Sequence, residues 1–298
     1  LLLGGSFTLW WSIFRGDFLL NRSDNQRTVI TDRYVKRGSL LDRNGQSINQ
    51  TTGTPGSFVR EYNIPALGNL VGYTHPVFGL SGLELAMDGY LRGLDGTPAS
   101  TIWFTRILSS QTPPGNNVRL TIDSSIQAQA DLLLDNSTGT ILLMNAATGE
   151  VLAAASHPGI DPSQLDQLSQ TWKSDPASPY LNRVLQGSYP LGTAAAPFLL
   201  ARLAQISDLP PLPSPLSTYQ NGELWDCLQD PGKIDNLGSA IMAGCPAPTI
   251  QIAETLTIDQ ISLLYHQLGF YSIPALSFPQ INPSAPQTVA ASRAAQRL

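Results

Sequence analysis

The chain has 298 residues, 42% of them apolar and 13% charged, which excludes a disordered or charge-driven chain and leaves room for one large or two compact units. Seventeen Lys or Arg against 22 Asp or Glu give a net charge of −5, so nothing supports a nucleic-acid footprint. Three histidines (His75, His157, His266) and two cysteines (Cys227, Cys245) stand far apart without metal-ligand spacing. No metal or other cofactor is expected.

The charge is uneven. Residues 1–60 hold eight Lys or Arg against four Asp, a net +4, which leaves −9 for the rest. The first 14 residues are uncharged and mostly apolar, with Trp10 and Trp11 placed as an interfacial belt would be. Fourteen is short of the ~20 apolar residues of a membrane span, so residues 1–20 read as the outer end of an anchor helix. A buried core helix or the end of a signal peptide's apolar region is the alternative. Arg15, Arg22, Arg27 and Arg33 argue against export of the body beyond them, because positive charge usually stays inside.

Residues 21–115 are rich in Gly, Thr and short alternating runs such as Thr28 to Thr31 and Ser57 to Arg60, and predict a mostly β domain. Pro113-Pro114-Gly115-Asn116 continues neither helix nor central strand and marks the boundary. Beyond it come a strand at Val118 to Ile122 and a helix through Ile126 to Leu134, capped by Asp123 or Ser124. Two strands, Gly139 to Met144 and Glu150 to Ala155, form a hairpin. Helical patterns cover residues 193–206, 236–243 and 258–268, with a proline-rich loop at Leu209 to Pro215. The whole is an α+β chain.

The run Arg37-Gly38-Ser39-Leu40-Leu41-Asp42-Arg43-Asn44-Gly45 resembles the RG-x-x-x-DRNG signature with which class B penicillin-binding proteins open after their membrane anchor. Gly79-Leu80-Ser81-Gly82-Leu83-Glu84, Leu91 to Gly96, Val118 to Asp123 with Gln127, the hairpin of residues 139–156, Asn182-Arg183 and Tyr189-Pro190-Leu191-Gly192 follow in that family's order. The resemblance implies an anchor (1–20), a pedestal domain (21–115) and a truncated transpeptidase-like domain (116–298). It also implies a bacterial chain in the cytoplasmic membrane, single-pass, with its body on the extracytoplasmic side.

In that family a serine attacks a D-Ala-D-Ala bond and the acyl group passes to an amine. The serine's S-x-x-K partner lies one helical turn away, and S-x-N and K-T-G complete the set. Alignment on Tyr189 to Gly192 places Thr193 at the serine and Ala196 at the lysine. A methyl group accepts no proton. Arg33, Gln170 and Asp230 stand three positions before the only lysines, Lys36, Lys173 and Lys233, so S-x-x-K exists in no register and no lysine begins K-T-G. At the S-x-N position stand Gly244 and Pro246.

The sequence is therefore identified as a degenerate, non-catalytic member of that family, with Thr193, Ala196, Gly244 and Pro246 as vestigial positions. The resemblance implies an interaction role: a scaffold or regulatory subunit of a membrane complex, its partner a glycan polymerase or another membrane assembly. The competing reading is a working D,D-transpeptidase with misplaced motifs or a C-terminal half outside this chain.

Other groups carry less. His157 at a strand end reads as a turn residue, since no Ser-His-Asp order accompanies it, and Glu84 as a structural hydrogen-bonding acid. Cys227 and Cys245 form a disulfide if the body is outside the cell, or two buried thiols if it is not.

Overall fold

The computed structural model describes residues 34–98, 100–102, 104, 113–187, 189, 191–220, 222–230 and 232–271. The expected anchor at residues 1–20 and the expected strand at Thr28 to Thr31 lie outside them. No helix among the described residues is long and apolar enough to cross a membrane. Two compact units divide between Gly187 and Ser188.

The first unit opens with strands β1 (Leu40–Leu41), β2 (Asn49–Thr52) and β3 (Val59–Tyr62), then helix α1 (Gly68–Val71), strands β4 (Thr74–His75) and β5 (Gly79–Leu80), and helices α2 (Gly82–Ala86) and α3 (Asp88–Leu91). The described part of the expected pedestal is thus mixed rather than mostly β. Its strands stop after two to four residues, and the chain between them turns into single helical turns whose Leu67, Val71, Leu83 and Leu91 join one core with Leu40 and Ile48.

The expected boundary at 115/116 falls inside this unit. Strand β6 (Val118–Arg119) runs parallel to β1, with Leu40 opposite Val118, and Gly38 N–H donates to Leu91 O at 2.8 Å. A Cβ on Gly115 would sit 2.0 Å from Leu91 O, so the turn that reads as a linker is a close backbone crossing that only glycine permits. Ile122 and Ala154, from beyond the turn, belong to the same core as Leu40 and Leu83.

Helix α4 (Ser124–Leu134) is capped by Asp123, whose carboxylate accepts from Ser125 and Ile126 N–H, as its sequence predicts. It packs through Ala130 and Leu134 on Ala153 and Ala155 of the antiparallel hairpin β7 (Gly139–Met144) and β8 (Val151–His157). Helices α5 (Leu165–Ser174) and α6 (Arg183–Gln186) close the unit. Arg183, almost wholly buried, donates to the carbonyls of Pro158 and Ser178.

The second unit holds a 3₁₀ turn at Gly192–Ala195 leading into α7 (Ala196–Ile206), a hairpin of β9 (Thr218–Gln220) and β10 (Glu223–Trp225), and helices α8 (Leu237–Met242), α9 (Pro246–Thr255) and α10 (Ile258–Gln267). The single helix expected over 193–206 is split because Pro197 enters at the start of α7, where its fixed φ and missing N–H are tolerated. The core of this unit is Ala195, Leu199 and Leu203 of the turn and α7 against Ile252 and Ala253 of α9 and Ile261 and Leu264 of α10.

Candidate functional site

The four motif positions lie on two neighbouring pieces of the second unit. Thr193 sits half-buried in the 3₁₀ turn, and Ala196, the first residue of α7, is 0% exposed. The turn and α7 pack on α9, whose first residue is Pro246 and whose N-cap is Cys245. Thr193, Ala196, Gly244 and Pro246 therefore stand on or beside packed elements, and their side chains are a hydroxyl, a methyl, a hydrogen and a pyrrolidine ring.

The approach to Gly244 is set by local rules. Asn236 and Ser239 form a capping box that starts α8, with Ser239 N–H donating to Asn236 Oδ1 at 2.9 Å. The helix ends at Met242 with Ala243 as its C-cap, and Gly244 turns the chain with φ +67°, the left-handed conformation that favours glycine at a helix C-terminus. Pro246 then starts α9 where a missing N–H costs nothing.

Cys227 and Cys245 are joined by a disulfide with Cα atoms 4.0 Å apart. Of the two alternatives in the sequence, the bonded pair is the one present. The bond brings the residues after β10 onto the α8–α9 junction: Gln229 N–H donates to Ala243 O at 3.2 Å, and the side chain of Leu228 lies over Gly244. Sequence reasoning missed this cover, since nothing near Leu228 carries a motif.

Helix α7 carries no lysine. Lys233 is 88% exposed, its ammonium 3.6 Å from Asp235, and Lys173 of the first unit stands 5.6 Å from the ring of Phe78. A pocket of about 350 Å³ is lined by Leu200, Leu209, Pro210, Leu212, Asn236 and neighbours, none of them at the four motif positions. Among the described residues no group of three His, Cys, Asp or Glu could hold a metal ion.

Glu84 and His157, outside this unit, have structural partners. Glu84 is 0% exposed and accepts from Arg37 Nη2 at 2.9 Å, Asn49 Nδ2 at 2.7 Å and Arg60 Nε at 2.7 Å. This is the hydrogen-bonding role expected of it. His157 ends β8 with Nε2 at 2.5 Å from Asp131 Oδ1 and Nδ1 at 2.9 Å from Asp135 O, a tie between α4 and the hairpin with no serine in it.

Residues 139–295 match the family described as "Penicillin binding protein transpeptidase domain". The chain belongs to that family. It is 28% identical over 291 residues to the peptidoglycan D,D-transpeptidase PbpA of Mycolicibacterium smegmatis, a match that covers 88% of this chain and 58% of that relative. It is 31% identical over 144 residues to the peptidoglycan D,D-transpeptidase MrdA of Escherichia coli, covering 44% and 23% of the two chains. The fold superimposes on penicillin-binding protein A from M. tuberculosis, solved as a ceftriaxone acyl-enzyme complex, with TM-score 0.73 at 23% identity over 90% of this chain and 65% of the other. This penicillin-binding-protein chain thus spans about 58% of the length of its PbpA relative.

Proposed function

We propose that this chain is a non-catalytic penicillin-binding-protein homologue acting as a scaffold or regulatory subunit of a membrane complex in cell-wall synthesis. The observation that carries the reading is Ala196: the residue three positions after the aligned hydroxyl is a fully buried methyl, so Thr193 has no base in its 3₁₀ turn or in the α7 that follows. Gly244 and Pro246 supply no side-chain hydroxyl or amide at the second motif. Residues 1–14 anchor the chain in the bacterial cytoplasmic membrane as a single pass. The body is extracytoplasmic, a placement the Cys227–Cys245 disulfide supports, because such bonds persist in oxidising compartments. The partner is a membrane protein, a glycan polymerase or another membrane assembly.

One observation favours the competing reading, an active D,D-transpeptidase. Thr193 keeps a hydroxyl that is not fully buried, and the relatives are named for that activity. Fluorescent penicillin labelling with intact-mass measurement separates the two. The expected result is no covalent adduct, and stoichiometric acylation at Thr193 would establish the enzyme instead.

A further inference from the structure

Strands β1 and β2 are joined by the turn from Asp42 to Gln46, and that turn is tied to the start of α4. The Ser124 hydroxyl donates to Asp42 Oδ2 at 2.7 Å, Arg43 N–H to Ile122 O at 2.9 Å and Asn44 Nδ2 to Asp123 Oδ2 at 3.4 Å. Both strands run away from α4 from there, and the tip between β2 and β3, residues 53–58, lies at their opposite end.

The chain enters the first unit at that same end. The ring of Tyr34, the first described residue, lies over Gly56 of the tip, where a Cβ would stand 3.3 Å from Tyr34 Cε1. Tyr34 is 55% exposed, and Val59, opposite Thr52 at the base of the tip, is 58% exposed. Beside the entering segment, Gly115 N–H donates to Lys36 O at 3.0 Å, and a Cβ on Gly93 would meet Pro114 O, which brings in the exposed Leu94. Lys36 is exposed as well. The charges of the hairpin are engaged further along β3, Arg60 with buried Glu84, and Glu61 with Thr52 and Gln50. An exposed tyrosine, exposed aliphatic side chains and a lysine on one end form the composition of a membrane–water interface.

We propose that this end of the first unit rests on the lipid surface, with Tyr34 and Val59 at the level of the headgroups. The proposal depends on residues 1–14 being the membrane anchor. Nineteen residues, 15–33, separate that stretch from Tyr34 and reach at most about 65 Å, so the end where the chain enters is the end held nearest the bilayer. Residues 15–36 carry five Lys or Arg against three Asp, a balance that favours anionic headgroups. The tyrosine ring and its hydroxyl suit the boundary between acyl chains and water. A contact too weak to hold a free domain suffices here, because the anchor keeps this end at a high effective concentration over the lipid.

Photo-crosslinking of the full chain in nanodiscs of phosphatidylethanolamine and phosphatidylglycerol tests this. The photoreactive residue p-benzoylphenylalanine replaces Trp10, Tyr34, Val59 or Val77, one at a time. Val77 is the exposed control away from the tip, since its hairpin β4–β5 rests on α5 through His75 Nε2 at 3.1 Å from Asp166 Oδ1. Intact mass is expected to show lipid adducts at positions 10, 34 and 59 and only background at 77. Val59→Glu, which sets a carboxylate against anionic headgroups, should lower the lipid adduct at position 34 about fivefold, with circular dichroism verifying the fold. Adducts at 10 without adducts at 34 and 59 leave the anchor standing and overturn the inference. So do adducts at 34 or 59 to a second copy or to residues 15–33, which would mean that protein covers this end, and so does a yield at 34 indifferent to Val59→Glu. No lipid adduct at 10 overturns the anchor itself, and this inference with it.

Discussion

Leu228 lies over Gly244, so that a Cβ added to Gly244 would come within 2.8 Å of Leu228 Cδ1 and 3.0 Å of its Cβ. The contact exists because the Cys227–Cys245 disulfide holds the residue after one cysteine against the residue before the other. A serine placed at position 244 therefore meets two obstacles, the left-handed φ of +67° and the leucine. Gly244→Ser is expected to destabilise the second unit by about 1–2 kcal/mol for the backbone alone. Adding Leu228→Ala should recover the steric part and leave the backbone part, as read in urea melts of the single and double variants. A Gly244→Ser protein as stable as the wild type would show that the turn can rearrange.

Ala196→Lys asks whether position 196 can hold a charge. Ala196 is 0% exposed and its neighbours Ala195 and Leu199 belong to the apolar core of the second unit. An ammonium there has no carboxylate or S-x-N side chain beside it, and burying an unpaired charge is among the few single changes that cost more than about 3 kcal/mol. The expected outcome is a lower melting temperature and no penicillin labelling. An unchanged melting temperature would mean that the site is open to water.

Glu84 is the anion on which the buried charge network of the first unit depends. It pairs with Arg37 and Arg60, whose side chains are 4% and 5% exposed, while Asp88 supplies Arg37 with a second carboxylate. Glu84→Gln keeps the shape and removes the charge, which leaves Arg60 without its carboxylate in a buried site. The loss should be about 3–5 kcal/mol, the range for breaking one side of a buried pair. Arg60→Met together with Glu84→Gln should lose less than the sum of the two single changes, a coupling that a double-mutant cycle in urea measures.

The first unit should also weaken in acid through Asp42. Burial pushes its carboxyl up, but hydrogen bonds from the Ser124 hydroxyl and from the backbone N–H groups of Gln46, Asn44 and Ser124 outweigh it and hold the group below its ordinary value of 3.8. A lowered folded-state value stabilises the fold above about pH 4, and that contribution disappears as pH falls through the folded value. Unfolding measured from pH 6 down to about pH 2 should show part of the acid loss vanish in Asp42→Asn. An identical pH profile for the variant and the wild type would remove Asp42 as a cause.

Much of this was legible in residues that act through their neighbours in sequence. The Asp123 cap, the hairpin around Asn145 to Gly149 and the order of motifs from Arg37 to Gly192 depend on local spacing, and the family assignment follows from that order. The absence of S-x-x-K is likewise a property of the sequence, because only three lysines had to be placed.

What tertiary structure decided are the relations between residues far apart in the chain. Strand β1 pairs with β6, and both sides of the Pro-Pro-Gly turn feed one core, a long-range pairing no local signal announces. The choice between a disulfide and two thiols needed the two Cα atoms brought to 4.0 Å, and the cover of Leu228 over Gly244 follows from that bond.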